Sequence, residues 1–314
     1  MAVTTTNTEY MIQTEVWSNQ IKEILQDELI ATKYVNWLSE FPTGDEFNIP
    51  SMGQAVAEDY IENTPVNFQP IVTGNFKFRI KEYKQSGHYI TKKMKQDSMY
   101  SSMIEANFVP SEARAIAIEV EKDILGLQSE LTPGDANAIN GIGHRFVCTG
   151  TGGLFTIKDI AFAKLALRKA NVPMQNLVAI VNPEVAYQIE VLMADEAKLV
   201  YNPKWEGIVR EGGAITGTQF RFSILGVDFY ESEYLAPIAS ETIGDKTVTD
   251  GHACLVFANV GNLKPFIGAW RQMPEVDSEY NKDYQRYEYV TTARYGVALY
   301  RPENFVVMLA KDAV

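Results

Sequence analysis

Apolar and polar residues alternate strictly along one stretch of the chain. Phe76, Phe78 and Ile80 interleave with Lys77, Arg79 and Lys81, the period-two pattern of a strand with one face buried. Gln85, Ser86 and Gly87 supply a turn, and a second run passes through His88, Ile90 and Lys92. Residues 72–95 are therefore predicted to form a long β-hairpin. A hairpin alone is marginal in water, so an acidic surface, with a second copy of the same chain as one source of it, is expected beneath it.

Helical periodicity marks four other segments. Trp17, Ile21, Ile24, Leu25 and Leu29 recur at helical spacing, an amphipathic arm ahead of any core element. Pro110 opens the clearest helix, where Ala113, Ile116, Ala117, Val120, Ile124 and Leu127 make one stripe and Thr132, Pro133 and Gly134 stop it. Thr156 and Asp159 form a capping box before Ile157, Ile160, Ala161 and Leu165, with Arg168, Lys169 and Pro173 at the far end. Asn182 and Pro183 start a further helix that carries Val185, Ile189, Leu192 and Met193 on one side. Strands are expected at Phe47 and Ile49, within 144–149, at Leu177–Val181, Phe220–Ile224 and Val227–Glu231, and at 253–258, with two or three antiparallel strands in the last fifty residues. Residues 207–217 read as a mobile loop.

Composition narrows the function. At 314 residues with 46% hydrophobic content the chain has ample core and a length prior of about two domains. Its net charge of −12 and pI near 4.9 argue against wrapping nucleic acid, which needs a surplus of Lys and Arg facing phosphate. The longest apolar runs fall far short of the ~20 residues that span a bilayer, and the polar start MAVTTTNTEY is no secretory signal. Cys148 and Cys254 are expected as reduced, buried small hydrophobes, with one disulfide as the alternative.

Charge is unevenly distributed. Residues 72–95 hold seven Lys or Arg against Glu82, so they carry +6 and the remainder −18. The helix from Pro110 carries Glu112, Glu119, Glu121, Asp123 and Glu130 against Arg114 and Lys122. Opposite charges steer association and fix register. Lys77, Arg79, Lys81, Lys84, Lys92 and Lys93 are therefore expected to meet Glu112, Glu119, Glu121 and Asp123 of a neighbouring subunit. Basic and aromatic residues interleave in the hairpin as in single-strand binders, but the acidity around them favours contact with protein.

Catalytic patterns are weak. The glycines of 148–153, CTGTGG, precede a helix as a phosphate loop would, yet no Lys-Ser or Lys-Thr follows. His88, His144 and His252 have no HExxH or Cys-x-x-Cys context, no GxSxG surrounds a serine, and helical acid pairs such as Glu119 and Asp123 have the spacing of a solvated face. No catalytic, cofactor or metal residue is assigned.

The order of these elements resembles the major capsid protein of tailed bacteriophages, of the Hong Kong 97 type. The residues that carry it are the amphipathic arm, the basic β excursion, the acidic helix, KDIAFAKLALRKANVPMQNLVAIVNPEVAYQI and the closing RYGVALYRPENFVVML. The resemblance implies an α+β fold: an N-terminal arm at 1–40, an extended β-hairpin loop at 41–95, a peripheral domain at 96–174 with its spine helix at 110–131, an axial domain at 175–260, and closing strands at 261–314 that return to the peripheral domain. It also implies a non-enzymatic virion protein without cofactors, assembled in the host cytoplasm into hexamers and pentamers around double-stranded DNA held without sequence recognition. Portal, scaffolding and decoration proteins are the implied partners, and no membrane is involved. The short stretch before the arm implies no fused scaffolding segment. Some relatives cross-link a loop lysine to an asparagine; Lys77, Lys84, Lys92 and Lys93 are available, and no matching asparagine and acid is identifiable. An encapsulin-like compartment shares this fold, and an α/β enzyme using the 150–153 loop is the alternative of another class.

Overall fold

The computed structural model describes residues 29–39, 46–52, 57–59, 62, 63, 65, 68, 73–97, 101–131, 137–194 and 220–312. The amphipathic segment up to residue 28, the helix stop at 132–134 and the loop at 207–217 lie outside them.

In chain order the elements are β1 (Val35–Leu38), β2 (Glu46–Met52), β3 (Thr73–Arg79), β4 (Glu82–Thr91), α1 (Lys92–Asp97), α2 (Ser101–Gly126), β5 (Ala138–Ile139), β6 (Ile142–Gly143) and β7 (Arg145–Val147). They continue with α3 (Ile157–Lys169), β8 (Leu177–Val181), α4 (Pro183–Ala194), β9 (Phe220–Ile224), β10 (Val227–Glu231), β11 (Pro237–Ile243), β12 (Lys246–Ala258), β13 (Phe266–Asn281), β14 (Arg286–Leu299) and β15 (Val306–Lys311). The mixture of sheets with packed helices is the α+β class expected. Among the described residues no helix is long and apolar enough to cross a membrane.

Two sheets organise the chain. The larger runs β7-β15-β12-β8-β10-β9, with β11 also paired to β12. Its central strand β8 is apolar at every position because both faces are covered. Val178 and Ile180 enter one core with Leu255, Phe257, Val307 and Leu309. Leu177, Ala179 and Val181 enter another with Ile160, Leu167 and Val185 from α3 and α4. Successive side chains point to opposite faces of a strand, so one continuous run, LVAIV, feeds two cores. α3 presents Ile160, Ala163, Ala166 and Leu167 to that second core, and its N-terminus has the expected Thr156–Asp159 capping box.

The smaller sheet runs β1-β13-β14-β4, and α2 packs against β14 and β4. Tyr34, Phe257, Phe266 and Phe305 form a chain of edge-on rings 5.1–5.6 Å apart where the two sheets meet. Cys148 and Cys254 are free and buried in the core beneath α3 and α4. Burial pushes both thiols up, so they act as apolar filler.

Several expectations need correction. No turn forms at Gln85–Gly87: β4 runs straight through these residues, which pair with Thr292, Thr291 and Val290 of β14. β3 instead pairs antiparallel with β2, Glu46 facing Arg79. Alternation is identical for any antiparallel partner, so the pattern showed two strands and misassigned their pairing. Pro110 lies inside α2 and does not open it; the helix tolerates the one backbone hydrogen bond that proline lacks.

The domain boundaries drawn from the sequence are also crossed. β13 and β14 join the smaller sheet, but β15 enters the larger one between β7 and β12, so the closing segment 261–314 is divided between the two sheets. α3, placed in the peripheral segment, packs on the larger sheet. Residues 29–38, assigned to an arm, include a buried turn at Ile30 and Ala31 and the strand β1, which pairs parallel to β13.

Candidate functional site

The basic excursion and the acidic helix are the two parts that the sequence joined, and the structure places them side by side in one chain. β3 is exposed at Thr73, Gly74, Asn75, Lys77 and Arg79 and buried at Phe78. Phe78 and Ile80 rest on Ile267 and Ala269 in a small third core, with Phe47, Ile49 and Phe76 around it. The hairpin's root thus has an apolar floor from its own chain, where an acidic one was expected. On the outer side, Glu46 of β2 holds Lys77 at 3.2 Å and Arg79 at 2.6 Å. The Arg79 guanidinium and then the Lys77 ammonium hold the Glu46 carboxyl below the usual range.

The α2 acids divide into two classes. Glu112 and Glu121 are fully buried, each 0% exposed. Glu112 meets His88 Nδ1 at 2.6 Å and accepts from Thr291 Oγ1 at 2.6 Å, which locks α2 to β4 and β14. Glu121 accepts from the backbone N–H of Ile30 at 2.9 Å and from that of Ala31 at 2.8 Å and 3.0 Å. Burial raises its carboxyl above the ordinary value, against the lowering effect of these hydrogen bonds. Neither acid is available to a neighbouring subunit, so both assignments are corrected. Glu112 and Ile116 are four residues apart, as are Ile116 and Val120, so Glu112 continues the apolar stripe; that spacing was the overlooked signal.

Glu119 and Asp123 lie at the helix flank. Asp123 accepts from Tyr295 Oη at 2.5 Å and pairs with Lys84 Nζ at 3.2 Å. Glu119 takes Lys122 at 2.8 Å and Lys84 at 3.8 Å. Burial pulls the Lys84 ammonium down, but Asp123 and Glu82 outweigh it and the net shift is upward. Lys84 therefore pairs with acids of its own chain, where those of a neighbouring subunit were expected. Lys81, Lys92 and Lys93 are exposed. Between β3, β4 and the last turns of α2 runs a trough of about 570 Å3, lined by Arg79, Lys81, Asp123, Glu130, Val297 and Leu299 among others.

The glycine-rich loop is differently employed. Asp159 Oδ1 accepts from Thr149 N at 2.9 Å, and Oδ2 accepts from Thr156 N at 2.8 Å and Thr156 Oγ1 at 2.7 Å. Gly150 N donates to Leu154 O at 3.0 Å. Asp159 thus ties Thr149, ahead of the glycines, to the first turn of α3.

No protein-family model matches the sequence, and no curated protein matches it. Solved structures do. A chain of Mycobacterium phage Che8 is 18% identical, with a TM-score of 0.65 over 94% of this chain and 96% of that one. The cyanophage Pam1 capsid asymmetric unit gives 16% identity and a TM-score of 0.69 over 99% and 98%. The asymmetric unit of the bacteriophage PhiM1 mature capsid gives 13% identity and a TM-score of 0.67 over 99% and 95%. The chain has the phage capsid fold.

Within that capsid fold, α2 is the long helix lying on the smaller sheet, and the β2–β3 hairpin is the exposed basic excursion. Besides Glu112 and Glu121, sequence reasoning missed the partners that tie α2 to the smaller sheet: His88, Thr291 and Tyr295 from β4 and β14. No sequence signal identifies them, because each lies 24 residues or more from its acid.

Proposed function

We propose that this chain is a major capsid protein that assembles into the hexamers and pentamers of an icosahedral phage head enclosing double-stranded DNA. The observation that carries the reading is a likeness to capsid chains spanning nearly the whole length of both partners. The exposed charge supports it. A β2–β3 hairpin with its Lys and Arg turned to solvent is suited to a neighbour's acidic surface, and the chain's net −12 leaves DNA to be enclosed without sequence recognition. The role is structural and requires no cofactor. Portal, scaffolding and decoration proteins are the further partners, and assembly takes place in the host cytoplasm.

Electron microscopy and light scattering of the protein, purified alone and after co-expression with a scaffold, test the reading. Shells protecting nucleic acid from nuclease are the expected result, whereas shells filled with protein cargo would favour the encapsulin-like reading. A strict monomer at every salt concentration would overturn both.

Lys92→Glu with Lys93→Glu is expected to abolish shells while leaving the subunit folded. Both side chains are exposed at the start of α1, and such surface changes cost within about 0.5 kcal/mol each. Particle yield set against the monomer's melting temperature checks it; an equally large loss of monomer stability would contradict the assignment.

A further inference from the structure

We propose that Glu184, His252 and Asp312 form a binding site for one divalent transition-metal ion, with zinc the ion best suited to the ligand set. One donor atom from each residue lies within 4.8 Å of the other two. The residues come from three elements: the first turn of α4, the strand β12 and the position just beyond β15.

The backbone fixes this convergence. In the β12–β15 pairing Gly251 faces Lys311 and His252 faces Ala310, and Asp312 N donates to Asp250 O at 3.0 Å. A side chain at Gly251 would collide with the Ala310 carbonyl, so glycine allows the two strands to run this close. From α4, Gln188 lies one turn beyond Glu184 and donates Nε2 to Lys311 O at 2.5 Å. Glu184 N donates to Asn182 Oδ1 at 3.0 Å. The main chains carrying all three ligands are thus anchored to one another.

The chemistry fits a borderline cation. Imidazole nitrogen and carboxylate oxygen are zinc donors, and bonds of about 2.0–2.2 Å at tetrahedral angles place neighbouring donors about 3.4 Å apart. His252 Nδ1 and Asp312 Oδ1 stand at 2.8 Å, a hydrogen bond that the ion would replace with only a small separation of the two groups. The Glu184 side chain is the exposed member of the three. Three protein ligands leave a fourth position for water. The site rests on the β12–β15 register and on the packing of α4 against it, and is independent of the capsid reading.

Calorimetric titration of the EDTA-treated protein with zinc chloride tests the proposal, and the expected result is one ion per chain. His252→Ala should abolish binding, and Glu184→Gln and Asp312→Asn should each weaken it at least about tenfold. Magnesium should not compete, because it prefers an all-oxygen octahedron. Absence of a saturable heat in the unsubstituted protein, or an unchanged affinity in the Glu184→Gln protein, would overturn the proposal. Should His252→Ala fail to fold by circular dichroism, Glu184→Gln decides alone, since its side chain is exposed.

Discussion

Glu121→Ala is expected to destabilise the folded chain by about 3 kcal/mol, the order measured when one partner of a buried, charge-assisted hydrogen-bond set is removed. The carboxylate is the acceptor for two consecutive backbone donors, Ile30 N and Ala31 N, at the start of a buried turn that leads into β1. Alanine leaves those N–H groups without that acceptor and opens a void between the turn and α2. Chemical denaturation of the unassembled subunit measures the loss. A change below about 1 kcal/mol, the range of ordinary surface substitutions, would mean that water substitutes for the carboxylate.

The same group has a distinctive pH signature. Its carboxyl is raised above 4.5 in the folded state, so the folded chain holds this proton to higher pH than the unfolded chain does. The stability it contributes is therefore complete below 4.5 and declines as pH climbs through the raised value. Glu119, lowered by Lys122, behaves in the opposite sense: its contribution is present above the ordinary value and is lost as pH falls. Subtracting the pH–stability profile of the Glu121→Ala protein from that of the parent isolates the first effect, and the difference should shrink as pH rises through that window.

Gly296→Val should be the most damaging single change for the excursion, with a cost of about 3 kcal/mol, at the upper end of overpacking effects. A Cβ at this position of β14 would stand 2.7 Å from Arg79 O, 2.9 Å from Ile80 Cα and 3.2 Å from Phe78 Cζ. Two of those atoms are backbone at the junction of β3 and β4 and cannot yield by a rotamer change. The junction must lift, and with it the Phe78 and Ile80 contacts on Ile267 and Ala269. Particle formation is expected to fail even at temperatures where circular dichroism still reports a folded subunit. Normal shells from the Gly296→Val protein would show that the root of the excursion tolerates displacement.

These two residues also mark the limits of what the sequence revealed about the candidate site. The charge of Glu121 assigned it to an acidic surface facing a neighbouring subunit, although it lies four residues before the buried Leu125. Gly296 drew no attention, since a glycine in an alternating strand looks like any other until the segment crossing above it is known. The exposure of Lys77 and Arg79 is legible from their alternation with Phe76, Phe78 and Ile80, whereas Lys92 and Lys93, placed by the pattern in a hairpin strand, begin the helix α1.

Local pattern by itself determined much of this protein. The bounds of β8, β9 and β10, the Thr156–Asp159 cap, the start of α4 and the α+β class all follow from periodicities of two and 3.6 and from caps a few residues long. Only the tertiary structure decided which strand pairs with which: β3 with β2, β4 with β14, and β15 beside β12. It alone turned Lys84 toward Asp123 of its own chain. The physical reason is that an alternating strand offers the same donors, acceptors and apolar face to every candidate neighbour. The choice among them is made by contacts between residues far apart in the chain, whose combined burial no local window contains.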